Sequence, residues 1–346
     1  MTRHSRMDHR TMLTFAADVM AAAGCSPAEA ASVADVLVEA DLRGLFSHGV
    51  MRLTLYTDWI REGRMRPGAE IREVVSGPAV AVLDADGAPG PVSAARGVDR
   101  AVELALAGAA AFVFVKNGTH FGPAAHWALR AAERDCIGFC SSNGGGVAGV
   151  LAFGSRDVAL TNGPIAWALP GARHPALVAD MAVGAAAMGK VRVARAAGAS
   201  IPDDWGVDAA GRPTTDPNAL VDLLPFAGPK GYGLGIVTET LAGILAGAVA
   251  RVNRKPDDPQ PVGQVFGAIN IAAFRPVAEF QADVDDAIDR LHAIPPAEGS
   301  DGVLAPGEPE WRRREQSLAD GIEYPDGLLE DVAVTARGLG VAPAWS

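Results

Sequence analysis

The stretch AFVFVKNGTHFGPAAHWALRAAERDCIGFCSSN, residues 111–143, decides the fold class of this chain. It begins with a run of β-branched and aromatic residues, changes to a helical pattern after Gly122 and Pro123, and ends in a second apolar run. This strand–helix–strand order, preceded by the strand-like AVAVLDADG at residues 79–87, predicts a mixed α/β core.

Both ends of the chain have helical patterns instead. Residues 8–24 are amphipathic, the capping-box sequence SPAE at 26–29 starts a second helix, and a third helix is expected from Ser47. Further helices are predicted at about 276–293, 309–319 and 326–338. The predicted strands therefore lie between two helical regions of the sequence.

The composition excludes several classes of protein. With 346 residues, of which 49% are hydrophobic and 21% charged, the chain is globular and long enough for two domains. A formal net charge of −11 without a run of Lys and Arg argues against a nucleic-acid partner. The most apolar stretch, residues 231–250, contains Glu239, which favours a buried helix over a membrane span.

Cysteine usage indicates a reducing compartment. The chain contains three cysteines, Cys25, Cys136 and Cys140, and no C-x-x-C pair. An odd number without metal-ligand spacing argues against a disulfide framework and against structural zinc. We therefore expect a cytoplasmic protein without a metal site.

A candidate catalytic group lies in RGLFSHGVMRL, residues 43–53. If Ser47 caps a helix, His48 lies in the first turn and shares a face with Arg52, four residues later. A helix N-terminus favours a neutral imidazole and a bound anion, which suits proton exchange at His48. Spacing alone also allows a simpler interpretation, in which Ser47 only caps the helix and the other two residues are surface groups.

Two more titratable residues are candidates. His120 follows a strand in KNGTHFGPAA, where a strand end leads into a helix and phosphate groups can bind; the alternative is a turn histidine bonded to the backbone. Asp180 lies within the apolar PALVADMA and needs a partner. That partner is either a histidine or lysine, or the N–H groups of a helix that begins near Val183.

Two glycine-rich segments bear on anion binding. In FAGPKGYGLG, residues 226–235, Lys230 and flanking glycines precede the longest apolar helix, in a pattern that is not a nucleotide P-loop. The run at 144–149 matches G-x-G-x-x-G after a strand. Neither a helix nor a strand ending in an acidic residue is predicted after it, so we interpret it as a loop and not as a Rossmann site.

Seven segments in one order resemble the malate/L-lactate dehydrogenase family of the non-Rossmann type, which includes ureidoglycolate and sulfolactate dehydrogenases and Δ1-piperideine-2-carboxylate reductase. They are RGLFSHGVMRL, NGTHFG, LTNGPIAWALP, LVADMAVGAAAMGK, GRPTTDP, GPKGYGL and PGEPEWRRR, and the likeness spans nearly the whole chain. The resemblance implies a non-Rossmann NAD(P)-binding α/β fold with a largely antiparallel sheet and a homodimer. It also implies a helical domain formed from both chain ends, with residues 1–75 as its first part. Residues 76–262 then form the NAD(P)-binding and catalytic domain, and residues 263–346 the C-terminal strand and helices.

The resemblance further implies roles for single residues. His48 corresponds to the proton donor and His120 to a rival for that role, while Ser47 and Asp180 are relay partners. Arg52 holds the substrate carboxylate, and Thr161 lies near the substrate. The positions that line the cofactor are His120, Phe121, Gly122, Pro123, Ala124, Ser142, Lys230, Gly307, Glu308 and Pro309.

The implied activity is hydride transfer between NAD or NADP and the α-carbon of a small 2-oxo or 2-hydroxy acid or a cyclic 2-imino acid. The alternative is an impaired family member that binds NAD(P) or a metabolite without turnover. Three residues depart from the family pattern near the site: Phe46 replaces an acid, Gly163 interrupts T-N-P, and Pro229 replaces a histidine. An apolar ring at Phe46 makes the expected pocket less polar, which favours imino or 2-oxo acids over malate.

Overall fold

The structure is a computed structural model that describes residues 4–144, 149–255, 261–343 and 345, without the side chains of 196 and 197. Most of the glycine-rich run at 144–149, namely residues 145–148, lies outside the described residues. The helices are α1 (His9–Ala22), α2 (Pro27–Leu42), α3 (Arg52–Arg61), α4 (Gly90–Ala107), α5 (Ala124–Ala132), α6 (Met188–Ala197), α7 (Pro229–Thr238), α8 (Val277–His292), α9 (Glu308–Asp320) and α10 (Asp326–Gly338). The strands are β1 (His4–Met7), β2 (Arg72–Ser76), β3 (Val80–Asp84), β4 (Ala110–Gly118), β5 (Cys136–Ser142), β6 (Gly149–Leu151), β7 (Val158–Thr161), β8 (Pro164–Leu169), β9 (Leu177–Ala182), β10 (Gly206–Val207), β11 (Asp222–Leu223), β12 (Val262–Asn270) and β13 (Ile322–Pro325).

A seven-stranded sheet in the order β2-β3-β4-β12-β5-β8-β9 forms the centre of the molecule. Only β3 and β4 run parallel, and every other neighbouring pair is antiparallel. The prediction of a largely antiparallel, non-Rossmann sheet is confirmed, because a Rossmann sheet is mostly parallel. Strand β12 comes from the last third of the chain and lies between β4 and β5.

Helices α4 and α5 cover one face of this sheet. A Cβ on Gly97 of α4 would lie 2.5 Å from the ring of Phe266, and a Cβ on Gly138 of β5 would lie 2.0 Å from the carbonyl oxygen of Ala128. Glycine is therefore required where helix and sheet meet. This close packing fixes the start of α5, where the segment that contains His120 ends.

A helical unit built from both chain ends lies beside the sheet, as predicted. Met12, Leu37 and Tyr56 from α1, α2 and α3 form one buried cluster with Tyr324 of β13 and Val332 of α10. Strands β1 and β13 pair in an antiparallel ribbon, so the two ends of the chain are joined by backbone hydrogen bonds.

The apolar stretch at 231–250 packs on the other face of the sheet. Helix α7 continues as a π-helix, Glu239–Leu245, and Ala242 and Ala246 contact Phe114, Phe139 and Val265. No described helix is both long enough and apolar enough to cross a lipid bilayer.

The predicted helix from Ser47 was wrong in its first residues. Residues Phe46–His48 form a single 3-10 turn, and α3 begins only at Arg52. The reason is a buried carboxyl group: Asp41 accepts a hydrogen bond from the N–H of Val50, which holds the chain in a turn before the helix starts. The helix predicted near Val183 likewise begins later, at Met188.

Candidate active site

The turn from Ser47 to Arg52, here called the histidine turn, brings three predicted residues together. Ser47 Oγ lies 2.9 Å from His48 Nδ1, and Arg52 Nε donates to the Ser47 carbonyl at 2.6 Å. Burial lowers the pKa of His48 to about 4, and the charge of Arg52 adds to this effect. The imidazole is therefore neutral near pH 7, because of burial and not because of a helix N-terminus.

Asp41, a buried acid that the sequence analysis missed, bonds to the backbone of the histidine turn. Asp41 has no exposed surface, and its Oδ2 accepts from the Val50 N–H at 2.9 Å and from the Tyr324 hydroxyl at 2.8 Å. A Cβ on Gly49 would lie 1.6 Å from Asp41 Oδ1, so only glycine fits there. Burial raises the pKa of Asp41 to about 8, although the hydrogen bonds from Val50 and Tyr324 each lower it. The signal in the sequence was an acid at the end of the apolar helix α2.

The segment from Gly118 to Ala124, here called the strand-end segment, carries His120. The rings of His48 and His120 lie 5.5 Å apart, inclined by 27°. Tyr56 Oη is 2.7 Å from His120 Nδ1, and the Gly122 N–H donates to the same nitrogen at 3.4 Å. Because a backbone N–H can only donate, Nδ1 is an acceptor and the ring proton lies on Nε2. Burial, with the charges of Arg52 and His48, holds the pKa of His120 well below its usual value.

The shape of the strand-end segment depends on two close contacts. Gly122 has a φ of +84°, and a Cβ there would lie 2.4 Å from Val36 of α2. A Cβ on Gly90, at the start of α4, would lie 2.0 Å from the His120 carbonyl oxygen. Glycine at both positions lets α2 and α4 pack directly against the segment, which leaves His120 little freedom to move.

Asp180 lies in β9 and binds the start of α5. Its carboxylate accepts a hydrogen bond from the Ala125 N–H at 2.9 Å, so it caps that helix and not one beginning near Val183. Desolvation, with a smaller contribution from the negative charge of Glu310, raises the pKa of Asp180 to about 6, although the residue keeps solvent-exposed surface. Within the described residues Asp180 forms no hydrogen bond with His48. The contact that it does make anchors the strand-end segment to the sheet edge.

The predicted cofactor segment at Gly307 packs beside the same strand. Gly307 has a φ of +85° and precedes α9, and the Val178 N–H donates to the Pro306 carbonyl at 3.0 Å. Glu308 points inward, where it accepts from the Ala305 N–H and bonds to His292. The Glu308 side chain therefore bonds to groups of the protein itself, including Arg312 of the same helix.

The remaining predicted residues lie around the ends of β5 and β7. Thr161 donates from its N–H and from its hydroxyl to one oxygen of Glu239, at 2.7 and 2.6 Å. Ser142 Oγ accepts from the Gly144 N–H at 3.1 Å, and Lys230 is exposed in the first turn of α7. Glu239, which bonds to Thr161, is the acidic residue within the apolar stretch 231–250.

Phe46 has a packing role in the helical unit. Its ring lies 5.6 Å from that of Tyr324 and joins the cluster formed by both chain ends. It also lines a cavity of about 500 Å³ together with Pro309 and Glu310. The ring thus contacts the helical core, beside the segment that starts α9.

Comparisons with known proteins give the family of the chain. Residues 7–333 match the family model described as malate/L-lactate dehydrogenase. The chain is 36% identical to the NAD(+) ureidoglycolate dehydrogenase of Escherichia coli O157:H7, over 89% of each chain. It is 33% identical to the L-sulfolactate dehydrogenase of Methanocaldococcus jannaschii, over 94% of each.

A solved structure gives the same result. The malate dehydrogenase of Entamoeba histolytica superposes with a TM-score of 0.92 at 26% identity, covering 98% of this chain and 99% of that one. The match of fold, length and motif order leaves one conclusion: this chain belongs to the malate/L-lactate dehydrogenase family and is an enzyme of the dehydrogenase class.

Proposed function

We propose that the protein transfers a hydride between NAD or NADP and the α-carbon of a small 2-hydroxy or 2-oxo acid, with His48 exchanging the proton and Arg52 holding the carboxylate. The observation that carries this proposal is the histidine turn, in which a neutral imidazole and a largely buried guanidinium are joined through Ser47. Hydride chemistry on such an acid needs both groups in one place.

Each group suits its task. Arg52 uses Nε on the Ser47 carbonyl, which leaves both terminal amino groups for a bidentate contact with a carboxylate. In the oxidation direction the substrate hydroxyl loses a proton as the α-carbon loses hydride, and neutral His48 accepts that proton. In reduction the same nitrogen returns it. The nicotinamide, when bound, supplies the hydride acceptor or donor.

We assign His120 a different role, that of a fixed hydrogen-bond donor. Its Nδ1 already accepts from Tyr56 and Gly122, so the proton on Nε2 is available to a substrate oxygen. Two neighbours at Nδ1, one of them a backbone N–H, hold His120 in this tautomer, whereas His48 has a single rotatable hydroxyl beside its Nδ1. This supports His48 as the acid/base. Asp180 then acts on the site indirectly, through Ala125 and the strand-end segment.

We infer that the cofactor lies along the strand-end segment, Ser142, Lys230 and the segment 307–309. Three observations support this placement. Asp180 joins the strand-end segment to β9, and Val178 joins β9 to the Gly307 segment. Lys230 adds an exposed cation at a helix start, which suits a phosphate group.

We further infer a homodimer that pairs through the open face of the central sheet. Val75, Val80 and Phe112 lie on the face opposite α4 and α5, and they are 49%, 38% and 40% exposed. Ile244 and Leu245 of the neighbouring π-helix are 54% and 59% exposed. An apolar surface of this kind is typical of a subunit interface. Sedimentation should give a dimer, and Phe112→Glu should give monomers.

We propose a cytoplasmic location because of the state of the three cysteines. Cys25, Cys136 and Cys140 are all free and buried. Burial raises the pKa of each thiol, so the thiols stay protonated and behave as small apolar groups. This use of cysteine fits a reducing compartment.

The test is a panel of 2-hydroxy and 2-oxo acids with NAD(H) and NADP(H), run on wild type and on Arg52→Met. Turnover by the wild type, with a large rise in KM in the variant, is expected. Tight binding of reduced cofactor with no turnover of any substrate would instead support the impaired alternative. A variant that keeps the wild-type KM would contradict the assignment of Arg52.

A further inference from the structure

Helix α6 passes over the histidine turn. A Cβ on Gly189, its second residue, would lie 3.1 Å from the Cβ of Ser47. A glycine at this position therefore allows the helix to approach Ser47 closely. Arg192 follows three residues later and lies on the same side of the helix as Gly189. Arg192 and Val193 are both exposed, so this side of α6 is open to solvent beyond the contact with Ser47.

The charge of Arg192 reaches Arg52. Burial lowers the pKa of Arg52, Tyr56 opposes this effect, and the positive charge of Arg192 lowers that pKa further. Within the described part of the chain, Arg192 forms no ion pair, and Arg52 bonds only to the Ser47 carbonyl. Arg192 thus lies on the helix that contacts Ser47, within electrostatic range of Arg52, and the two cations have the same charge. Such an arrangement is unfavourable in the free protein and becomes favourable when anionic groups bind.

We propose that Arg192 determines specificity by binding a second anionic group at the far end of the substrate, so that the enzyme prefers diacids over monoacids. This preference replaces the expectation drawn from Phe46, whose ring packs against Tyr324 of the helical unit. The inference rests on the proposed function, because Arg52 must hold the α-carboxylate for Arg192 to meet the distal one. A carboxylate or a sulfonate has the required charge and geometry. A monoacid leaves Arg192 in water and loses this contact.

The experiment compares malate with lactate, which differ at the distal carboxylate, in wild type and in Arg192→Met. Wild type should favour malate in kcat/KM by about tenfold or more. The variant should lose about tenfold on malate, chiefly through KM, and should change by less than about twofold on lactate. Arg192→Lys should recover part of the loss, because a cation remains.

Salt and a matched control separate a charge effect from a structural one. Added KCl should lower kcat/KM for malate more in wild type than in Arg192→Met, because exposed charges are screened. Arg195→Met removes a cation from the same helix that bonds to the Pro217 carbonyl, and it should leave the malate-to-lactate ratio unchanged. Equal losses on both substrates in Arg192→Met would overturn the proposal, since Arg192 would then share the α-carboxylate with Arg52.

The remaining outcomes are also decisive. A wild type that oxidises both acids without preference would overturn this inference and leave the proposed function standing. A wild type that oxidises no 2-hydroxy acid with either cofactor would overturn the proposed function and this inference together.

Discussion

The two histidines of the site lie 5.5 Å apart, yet the histidine turn and the strand-end segment hold them in opposite ways. Among the residues that the structure describes, His48 Nδ1 bonds to Ser47 alone, the residue next to it. His120 has two neighbours within hydrogen-bond distance of the same atom, the hydroxyl of Tyr56 in α3 and the N–H of Gly122. A ring with one rotatable hydroxyl partner can exchange a proton, whereas a ring that faces a fixed backbone donor keeps one tautomer.

The supports of the two regions differ as well. The histidine turn depends on Asp41, a buried acid whose pKa of about 8 leaves it protonated near pH 7. The strand-end segment depends on Asp180, whose pKa of about 6 leaves it mostly ionised at the same pH. One region is therefore held by a neutral group and the other by a charged one. The variants below test this difference.

The largest effect is expected when each of the two histidines is replaced in turn. His48→Gln should lower kcat by about 10² to 10⁴, because it removes the group that exchanges the proton. His120→Gln keeps a donor at the site and should cost about tenfold in kcat/KM. Steady-state and single-turnover kinetics give both values. The reverse order, with His120→Gln inactive and His48→Gln active, would move the acid/base role to His120.

The next largest effect tests the packing under the histidine turn. Gly49→Ala places a methyl group on Asp41 Oδ1, while two hydrogen bonds to Oδ2 hold that carboxyl group in place, and should cost about 3 kcal/mol in the free energy of unfolding. Urea unfolding measures the loss. Gly327→Ala in α10 is the matched control: nothing lies within 4 Å of the added Cβ, so this variant should be as stable as wild type or slightly more stable. Equal stability of Gly49→Ala and wild type would show that Asp41 does not hold the turn.

A smaller effect, of the opposite sign, is expected at Asp180. Its pKa is raised from 3.8 to about 6, so the folded state binds the proton more tightly and wild type loses stability as pH rises from about 4 to 6. Asp180→Asn keeps the acceptor for Ala125 without the charge. It should be more stable than wild type at pH 7 by about 1 kcal/mol in the free energy of unfolding, because solvent at the exposed Asp180 residue screens part of the effect, and the difference should vanish near pH 4.

A control at the surface shows whether the change in stability is specific to Asp180 or follows from the loss of any acidic charge. Asp99→Asn breaks an exposed ion pair with Arg130 and should change stability by less than about 1 kcal/mol at either pH. If Asp180→Asn is less stable than wild type at pH 7 and not at pH 4, the charge of Asp180 stabilises the fold and the contrast with Asp41 fails.

The smallest effect concerns the tautomer of His120. Tyr56→Phe removes one of the two partners at Nδ1 and should lower kcat/KM by about tenfold. Nitrogen NMR of the imidazoles provides the measurement. Wild type should show His120 protonated at Nε2 alone, and the variant should show a mixture of tautomers. A mixture already present in wild type would contradict the fixed-donor role.

The sequence predicted the parts of the fold that repeat a local pattern. The capping box at Ser26 is present with both of its hydrogen bonds, and Cys136 and Cys140 lie in a buried strand. The run at 144–149 is followed by β6 and β7 and by no helix, as the rejection of a Rossmann site requires. These features depend on residues close together in the chain, and periodicity and capping are local signals.

The prediction of a helix from Ser47 failed for a reason that no local pattern contains. Ser47 has the residue type of an N-cap, but its hydroxyl bonds to His48. The partner that displaces the helix start is Asp41 on another helix, which in turn is bonded by Tyr324 from the far end of the chain. Tyr56 was missed likewise, because its partner His120 is 64 residues away.

From the sequence alone came the α/β class, the helical regions at both ends and the residue types that hydride chemistry on a carboxylic acid requires. Tertiary structure alone decided which of these groups meet: Arg52 with Ser47, Tyr56 with His120, and Asp180 with Ala125. Helix and strand patterns follow from neighbours along the chain. Burial, and with it the neutral charge of His48, depends on contacts between segments that are distant in sequence.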